Sequence, residues 1–249
     1  MKKSSVLLVT TGMIAAFGMI SPTALAVPSC FGQRPTIVGT RGNDNLQGTP
    51  RPDVIAGLGG ADTIDSWDGN DRICGGDGDD TLFGWSGNDR IAGQIGHDGI
   101  HGGDGDDTIT GYLGKDYLVG SPGNDSISGG PDTDATAYDN SQAGVQVNLQ
   151  TGVATGDGSD TLASIEYVTG SYFDDTITGN SAQNRLYGQA GNDVITGGGG
   201  FLDFLVGNEG DDTLNAQDGD TGDVLEGNDH LNGDTCTVDP GDAVSTCEF

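Results

Sequence analysis

The sequence is poor in positive charge, in aromatic residues and in apolar side chains. Its 249 residues include 9 Lys and Arg against 38 Asp and Glu, which gives a formal net charge of -29. Proteins bind nucleic acids and anionic lipid surfaces mainly through Lys and Arg, so we expect neither partner. Only 33% of the residues are hydrophobic and 6% are aromatic, which excludes a thick layered core. Such a composition is typical of disordered chains, so any fold requires a source of order other than apolar burial.

The sequence also lacks the common motifs of catalytic sites. It contains no Gly-x-Ser-x-Gly motif, no P-loop and no EF-hand loop. His97 and His101 have the spacing of a zinc-protease motif, but that motif requires a helix, which the surrounding glycines disfavour. Acid pairs such as Asp79 and Asp80 have the chemistry of glycoside hydrolysis, yet their repetition along the chain favours a repeated metal role. We predict that the protein is not an enzyme; a hydrolase with an atypical site is the less favoured alternative.

Residues 1–26 have the features of a secretory signal peptide. Two lysines at 2–3 precede an apolar run at 6–20, and residues 24–26 form an Ala-Leu-Ala cleavage site. A membrane anchor is the alternative, but polar residues interrupt the run, which is shorter than the ~20 apolar residues of a membrane span. A lipoprotein signal ending at Cys30 is disfavoured by the nearby Pro28. We expect a secreted, extracellular protein that does not insert into a membrane.

The four cysteines fit an oxidising compartment. Four cysteines allow three pairings, and proximity in the sequence favours Cys236 with Cys247, which leaves Cys30 with Cys74. A zinc site is the rival interpretation, but the spacings do not match paired Cys-x-x-Cys knuckles. We therefore expect structural disulfides.

An aspartate recurs every nine residues through eleven consecutive nonapeptides that begin at Gly39. These aspartates are Asp44, Asp53, Asp62, Asp71, Asp80, Asp89, Asp98, Asp107, Asp116, Asp125 and Asp134. An Ile or Leu lies two residues after each of the first ten, and a glycine opens every unit except the one that begins at Ser66. The unit is Gly-x-x-Gly-x-Asp-x-(Ile/Leu)-x, and we number its positions one to nine.

This unit predicts an all-β fold, a parallel β-solenoid with two units in each coil. The glycine-rich half can turn the backbone sharply, and the last three residues place one apolar side chain between two that point the other way. Repetition of turn and strand stacks the strands in parallel. Alternate aspartates then form two ladders on opposite sides, with Asp44 and Asp62 beginning one and Asp53 and Asp71 the other.

The ladders predict calcium binding at many sites. Stacked strands lie ~4.8 Å apart, so the carboxylates of a ladder would repel one another without cations. Calcium binds oxygen at ~2.3–2.6 Å, and about twice that distance equals the strand spacing, so one ion fits between successive aspartates. Magnesium suits this arrangement poorly because it requires a tighter octahedron. One apolar side chain per nine residues cannot offset the entropy of ordering, so we expect calcium binding to supply much of the folding free energy.

Two segments, Gly75-Gly76-Asp77-Gly78-Asp79-Asp80-Thr81-Leu82-Phe83 and residues 102–110, match the GGxGxDxUx nonapeptide. The chain resembles the RTX (repeats-in-toxin, hemolysin-type) calcium-binding proteins. The resemblance implies a parallel β-roll with calcium bound in the turns, disordered without calcium and ligated by the sixth-position aspartates and turn carbonyls. An N-terminal signal departs from the many members exported through a C-terminal signal. In that respect the chain is similar to stand-alone secreted calcium-binding proteins of actinobacteria.

The period lapses at 138–169 and then returns. Alternating residues at 145–149 predict a half-buried strand, in an irregular continuation of the solenoid, a capping insert or, less favoured, a separate binding module. A second, less regular run supplies the further candidate ligands Asp175, Asp193, Asp203 and Asp212, while Asn184 stands where a carboxylate is expected and predicts weaker sites. The expected segments are a signal peptide at 1–26, an N-terminal cap at 27–38, a first run at 39–137, the irregular segment at 138–169, a second run at 170–232 and a C-terminal disulfide cap at 233–249.

The expected function is that of a secreted calcium-binding structural or interaction protein whose folding follows export. A calcium-dependent adhesin or polysaccharide-binding module is the alternative, in which the β-roll presents a surface. The expected partners are calcium ions and a cell-surface or matrix polysaccharide or protein. Trp67, Trp85, Phe83 and Tyr112 are candidate carbohydrate-stacking residues, although single exposed aromatics on a solenoid more commonly serve packing.

Overall fold

The chain forms a two-sheeted parallel β-solenoid. The computed structural model describes residues 29–228 and 233–247, and within these ranges there are 24 strands and no helix. The predicted signal peptide at 1–26 lies outside the described residues. The predicted all-β, parallel β-roll is confirmed.

The first sheet has 13 strands. In chain order they are β1 (Ile37–Val38), β3 (Val54–Gly59), β5 (Arg72–Asp77), β7 (Arg90–Ile95), β9 (Thr108–Leu113), β11 (Ser126–Ser128), β13 (Gln146–Asn148), β14 (Val153–Thr155), β15 (Ser159–Ala163), β17 (Thr176–Thr178), β19 (Val194–Thr196), β21 (Thr213–Asn215) and β23 (Thr235–Thr237).

The second sheet has 11 strands. They are β2 (Asn45–Gln47), β4 (Thr63–Asp65), β6 (Thr81–Ser86), β8 (Gly99–Asp104), β10 (Tyr117–Val119), β12 (Ala135–Ala137), β16 (Tyr167–Thr169), β18 (Arg185–Ala190), β20 (Phe204–Glu209), β22 (Val224–Asn228) and β24 (Ala243–Ser245).

Two nonapeptides make one coil, as the sequence predicts. Ile55 pairs with Ile73 and Ile73 with Ile91 in the first sheet, a spacing of 18 residues per coil. The second sheet follows the same register, with Ile64 paired with Leu82. Odd and even units therefore alternate between the sheets.

The core is a double file of position-eight side chains between the sheets. Ile55, Ile64, Ile73, Leu82 and Ile91 are each fully buried, and the file continues to Leu225 and Cys236 near the C-terminus. Flanking positions on the short strands point outward, because side chains alternate along a strand. Each sheet therefore contributes a single file of side chains to the apolar core, and the turns are held by other interactions.

Residues 138–169 belong to the solenoid but depart from its parallel stacking of strands. Strands β13, β14 and β15 form an antiparallel meander inside the first sheet, with β15 beside β11 and β13 beside β17. The second sheet has no such addition, since β12 pairs directly with β16. The meander keeps the core continuous through the inward-facing Val147, Ala154 and Leu162.

Disulfides fasten both ends, with the pairing predicted from the sequence. Cys30 is bonded to Cys74, and Cys236 to Cys247. Cys30 packs with Cys74, Val54 and Ala92 in a small second cluster. Strand stacking already begins at β1, within the segment expected to be a cap, and continues into β23 and β24 at the other end.

Candidate metal sites in the turns

The position-six aspartates form two buried ladders that connect successive coils. The backbone N–H of Asp80 donates to Asp98 Oδ1, and that of Asp89 donates to Asp107 Oδ1, each at 2.8 Å. The same bond recurs at every coil from Asp44 to Asp134 in one ladder and from Asp53 to Asp125 in the other. From Asp62 and Asp71 onward, one carboxylate oxygen of each aspartate is therefore used to join its turn to the preceding coil.

The second oxygen has no hydrogen-bond partner in most turns. Buried Oδ2 atoms without a partner belong to Asp62, Asp71, Asp80, Asp89, Asp98, Asp107, Asp116, Asp125, Asp134, Asp193 and Asp203. A buried polar atom without a partner is costly, and a charged one more so. A regular series of such atoms indicates a ligand that is shared by all these turns.

In the turns with a glycine at position one, this oxygen lies in a small space that an added side chain would fill. A Cβ atom built on Gly111 at position one would lie 2.8 Å from the carbonyl oxygen of Gly129 and in collision with the Asp116 carboxylate. Gly75 shows the same arrangement, with Asp80 and with the Gly93 carbonyl at 2.9 Å. Carboxylate and carbonyl oxygens from successive coils thus converge at one point.

Burial makes the ladder carboxyls reluctant to ionise in the absence of a cation. Desolvation is the main cause that raises the pKa of Asp80 to about 6, of Asp89 to about 7 and of Asp107 to about 8. Repulsion from the neighbouring ladder aspartates acts in the same direction, while the backbone N–H of the preceding coil lowers each pKa. A divalent cation between the carboxylates would offset both causes of the raised pKa, the desolvation and the repulsion between neighbouring aspartates.

Two kinds of turn can be distinguished by position two. In the first kind, which we call open, position two has a left-handed φ, as at Trp85 (70°), Gln94 (89°) and Tyr112 (79°). A left-handed φ costs a non-glycine residue roughly 1–2 kcal/mol. The eleven aspartates named above all lie in open turns.

In the second kind, which we call closed, the backbone N–H of position two donates to the side chain of position six. Thr49 donates to Asp53 Oδ2 at 2.8 Å, and Ser171 to Asp175 Oδ2 at 2.6 Å. The other closed turns pair Thr40 with Asp44 at 2.5 Å and Asn180 with Asn184 Oδ1 at 2.7 Å. Closed turns are the first two turns of each run, so both runs begin with carboxylates or amides that already have partners.

Besides Asp242 at the C-terminal end, four acidic residues occupy ladder positions that the nine-residue period does not predict. Asp160 accepts from the backbone N–H of Asp125 at 3.0 Å, and Glu166 from that of Asp134 at 3.0 Å. Asp223 and Asp234 extend the ladders beyond Asp203 and Asp212. All four precede a buried apolar residue by two positions, as in Asp160-Thr161-Leu162, and this tripeptide is the signal that would have identified them.

The donor set fits calcium. The convergent atoms are carboxylate and carbonyl oxygens, which are hard ligands that suit Ca²⁺ rather than zinc or copper. The carboxylates of a ladder follow the strand spacing of ~4.8 Å, close to twice a calcium–oxygen distance of ~2.3–2.6 Å. The open turns therefore have the ligand chemistry and the spacing for one calcium ion between successive coils.

Comparison with known families agrees with this geometry. The family model of the RTX calcium-binding nonapeptide repeat matches residues 38–73, 68–100, 101–135, 169–201 and 202–220, which together exceed half of the chain. The chain belongs to the RTX calcium-binding repeat family. The RTX matches stop at the meander and resume after it, where the closed turns at Asp175 and Asn184 begin the second run.

No curated protein gives a significant match to the RTX chain. Among the described residues, no helix is long and apolar enough to cross a membrane.

Proposed function

We propose that the protein is a secreted, non-enzymatic calcium-binding protein whose β-roll folds when it meets calcium outside the cell. The observation that carries this proposal is the column of buried Oδ2 atoms without hydrogen-bond partners in the open turns. The RTX repeats support calcium as the ligand. Its use would be structural, as a rigid interaction surface in the cell envelope or matrix.

The need for calcium follows from the width of the core. Most nonapeptides bury one large apolar side chain and also one carboxylate, Ile91 and Asp89 being an example. Burial of an unpaired charge opposes folding by more than burial of one Ile favours it. Calcium converts the buried carboxylates from a cost into ligands, so binding free energy becomes folding free energy.

The proposed ligands are the fifteen position-six aspartates predicted from the sequence, to which the structure adds candidates at Asp160, Glu166, Asp223 and Asp234. Within this set, Asp44, Asp53 and Asp175 lie in closed turns, where an ion would have to displace hydrogen bonds from the backbone. We therefore expect the closed turns to bind calcium more weakly than the open turns.

Circular dichroism tests the proposal directly. The purified chain in excess EGTA should show little β structure, and titration with Ca²⁺ should produce it, whereas equal concentrations of Mg²⁺ should produce much less. A chain that is fully β-structured and protease-resistant in EGTA would contradict calcium-driven folding.

Secretion is supported by the disulfides Cys30–Cys74 and Cys236–Cys247, which persist in oxidising compartments. Fractionation of the producing cells tests this part of the proposal. The processed chain should be found in the medium or cell envelope, and accumulation of intact chain in the cytosol would contradict it.

A polysaccharide-binding role is the second candidate, favoured by aromatic residues on the second sheet and its adjoining turns. Trp67 and Trp85 are about half exposed and line a cleft of about 260 Å³ together with Asp65 and Asp68. Trp85 Nε1 donates to Asp65 Oδ1 at 3.2 Å, which orients the indole, and flat exposed rings beside carboxylates are suited to sugar rings.

A glycan array probed in calcium tests this second function. Binding that is lost in Trp67→Ala/Trp85→Ala and kept in Tyr172→Ala, an exposed aromatic of the second run, would support it. Absence of binding to every glycan would exclude it and leave the structural role.

A further inference from the structure

The turn that ends at Asp223 contains three carboxylates that approach one another more closely than those of a regular turn. One oxygen each of Asp218, Asp220 and Asp223 lie within 4.8 Å of one another, and this is the one such group of three potential metal ligands among the described residues. Asp223 is fully buried, and Asp218 and Asp220 are half-buried.

Each of these carboxylates has a buried oxygen without a hydrogen-bond partner. The atoms are Asp218 Oδ2, Asp220 Oδ1 and Asp223 Oδ2. The opposite oxygen is used for structure in two of them, since Asp218 Oδ1 accepts from the backbone N–H of Asp220 and Asp223 Oδ1 accepts from that of Asp203. The three carboxylates thus approach one another closely while each keeps one buried oxygen without a partner.

The regular turns of the same chain show that acidic sequence alone does not produce this arrangement. Residues 77–80 have the order Asp-Gly-Asp-Asp, yet Asp77 and Asp79 are exposed and only Asp80 is buried. The turn at 218–223 begins with the same Asp-Gly-Asp but contains two additional residues, Thr221 and Gly222, before its ladder aspartate.

The backbone of this longer turn is held by two acids from the next coil. Asp239 Oδ2 accepts from the N–H groups of Asp218 and Gly219 at 2.9 and 2.6 Å. Asp242 Oδ1 accepts from those of Gly222 and Asp223 at 2.8 and 3.2 Å. These four N–H groups are therefore bonded to acids of the next coil and not to the three carboxylates of the turn.

We propose that Asp218, Asp220 and Asp223 bind one calcium ion in a site of a different type from the ladder sites, in which a single turn supplies three carboxylates. Three carboxylates form a hard, strongly anionic donor set, and the partial exposure of Asp218 and Asp220 leaves room for the water ligands that calcium accepts. The site rests on the proposed function, since it adds an ion to a calcium-dependent fold. Asp223 also belongs to the ladder, so the new site is the contribution of Asp218 and Asp220.

The test compares two double variants that each remove two negative charges. Asp218→Asn/Asp220→Asn should lower the number of bound calcium ions by one in native mass spectrometry of the full chain. The control Asp77→Asn/Asp79→Asn, with the same Asp-Gly-Asp order, should bind as many ions as the unaltered chain. An unchanged ion count in the first variant would overturn the inference. An unaltered chain that binds no calcium would instead contradict the proposed function.

A measurement on the unaltered chain covers the case in which the first variant does not fold. Crystals of the chain loaded with Tb³⁺ should show an anomalous peak ~2.3–2.6 Å from the three carboxylates, the range expected for calcium-like ligation. Peaks along the ladders with none beside Asp218 and Asp220 would overturn this site while leaving the proposed function intact.

Discussion

At the scale of single residues, the two oxygens of a ladder aspartate have different tasks. Oδ1 of Asp107 accepts the backbone N–H of Asp89, which joins two coils, while Oδ2 is buried without a partner and is available to an ion. An asparagine keeps the first task but brings no charge to the second. This division separates structural effects from metal-binding effects in mutants.

Asp107→Asn should therefore impair calcium binding more than folding geometry. We expect the calcium concentration at half-folding to rise by about 10-fold, equivalent to about 1.4 kcal/mol, since ligand charge tunes calcium affinity. Asp104→Asn in the same turn is the control, because Asp104 is exposed and the charge change is identical. Calcium titrations followed by circular dichroism measure both, and equal midpoints would contradict a ligand role for Asp107.

The raised carboxyl pKa values predict that acid partly replaces calcium. The pKa of Asp89 and of Asp125 is raised to about 7 in the fold, against 3.8 as the ordinary value, mainly by desolvation. Between pH ~4 and ~7 the folded chain then binds more protons than the unfolded chain, so its stability falls as pH rises. In calcium-free buffer we expect more β structure at pH 5 than at pH 7.5. Circular dichroism in chelator checks this, and β structure that increases with pH would contradict it.

Gly111, at position one of an open turn, should be intolerant of a methyl group. Gly111→Ala places Cβ 2.8 Å from the Gly129 carbonyl oxygen and against the Asp116 carboxylate, so we expect a loss of about 1–3 kcal/mol and a weakened ion site. Gly99→Ala is the control, because the nearest atom to its added Cβ is 4.0 Å away. It should change stability by less than about 1 kcal/mol. Urea unfolding in saturating calcium compares the two, and equal stability would contradict the close approach of the carboxylate and carbonyl oxygens to Gly111.

At the scale of the turn, closed and open units differ in a way that the sequence partly encodes. Three of the four closed turns have Arg51, Phe173 or Ala182 at position four, where most open turns have glycine, and all four have Thr, Ser or Asn at position two. Asn184 fills a closed turn without any charge. In a closed turn, the side chain of the sixth residue is thus already hydrogen-bonded to the backbone of its own turn.

Asp175→Asn should accordingly resemble the natural Asn184 and leave the calcium dependence of folding nearly unchanged. Asp193→Asn, one coil further along the same ladder, removes a carboxylate whose Oδ2 has no partner and should raise the required calcium several-fold. Calcium titrations of both variants distinguish the two kinds of turn. A larger effect at Asp175 than at Asp193 would contradict the distinction.

The nine-residue period was sufficient to predict the strands, the two-unit coil and the ladders, because stacking repeats every coil in the same way. The period could not predict the meander at 146–163. The residues of the antiparallel strand β14 alternate locally between inward and outward positions and do not follow the nine-residue spacing. The period also missed Asp160 and Glu166, whose spacing from the ladder is set by the length of the insert. The difference between open and closed turns depends on backbone φ at position two, which residue type alone does not determine.

At the scale of the whole molecule, we expect this polyanionic chain to be compact only with counterions. An unfolded chain of 249 residues has a radius of gyration of about 55 Å, and a compact one about 18 Å. Small-angle scattering should show a value near the first in EGTA and less than about half of it in millimolar calcium. A radius that does not change with calcium would contradict calcium-driven folding.

The meander gives the first sheet 13 strands and the second sheet 11. At ~4.8 Å per strand, one side of the solenoid is longer by about 10 Å, which is close to the ~10 Å between stacked sheets. We therefore expect the solenoid to bend at the meander, between an N-terminal and a C-terminal arm. Any partner that contacts both arms has to match that angle, and removal of residues 138–163 would alter the direction of the C-terminal arm.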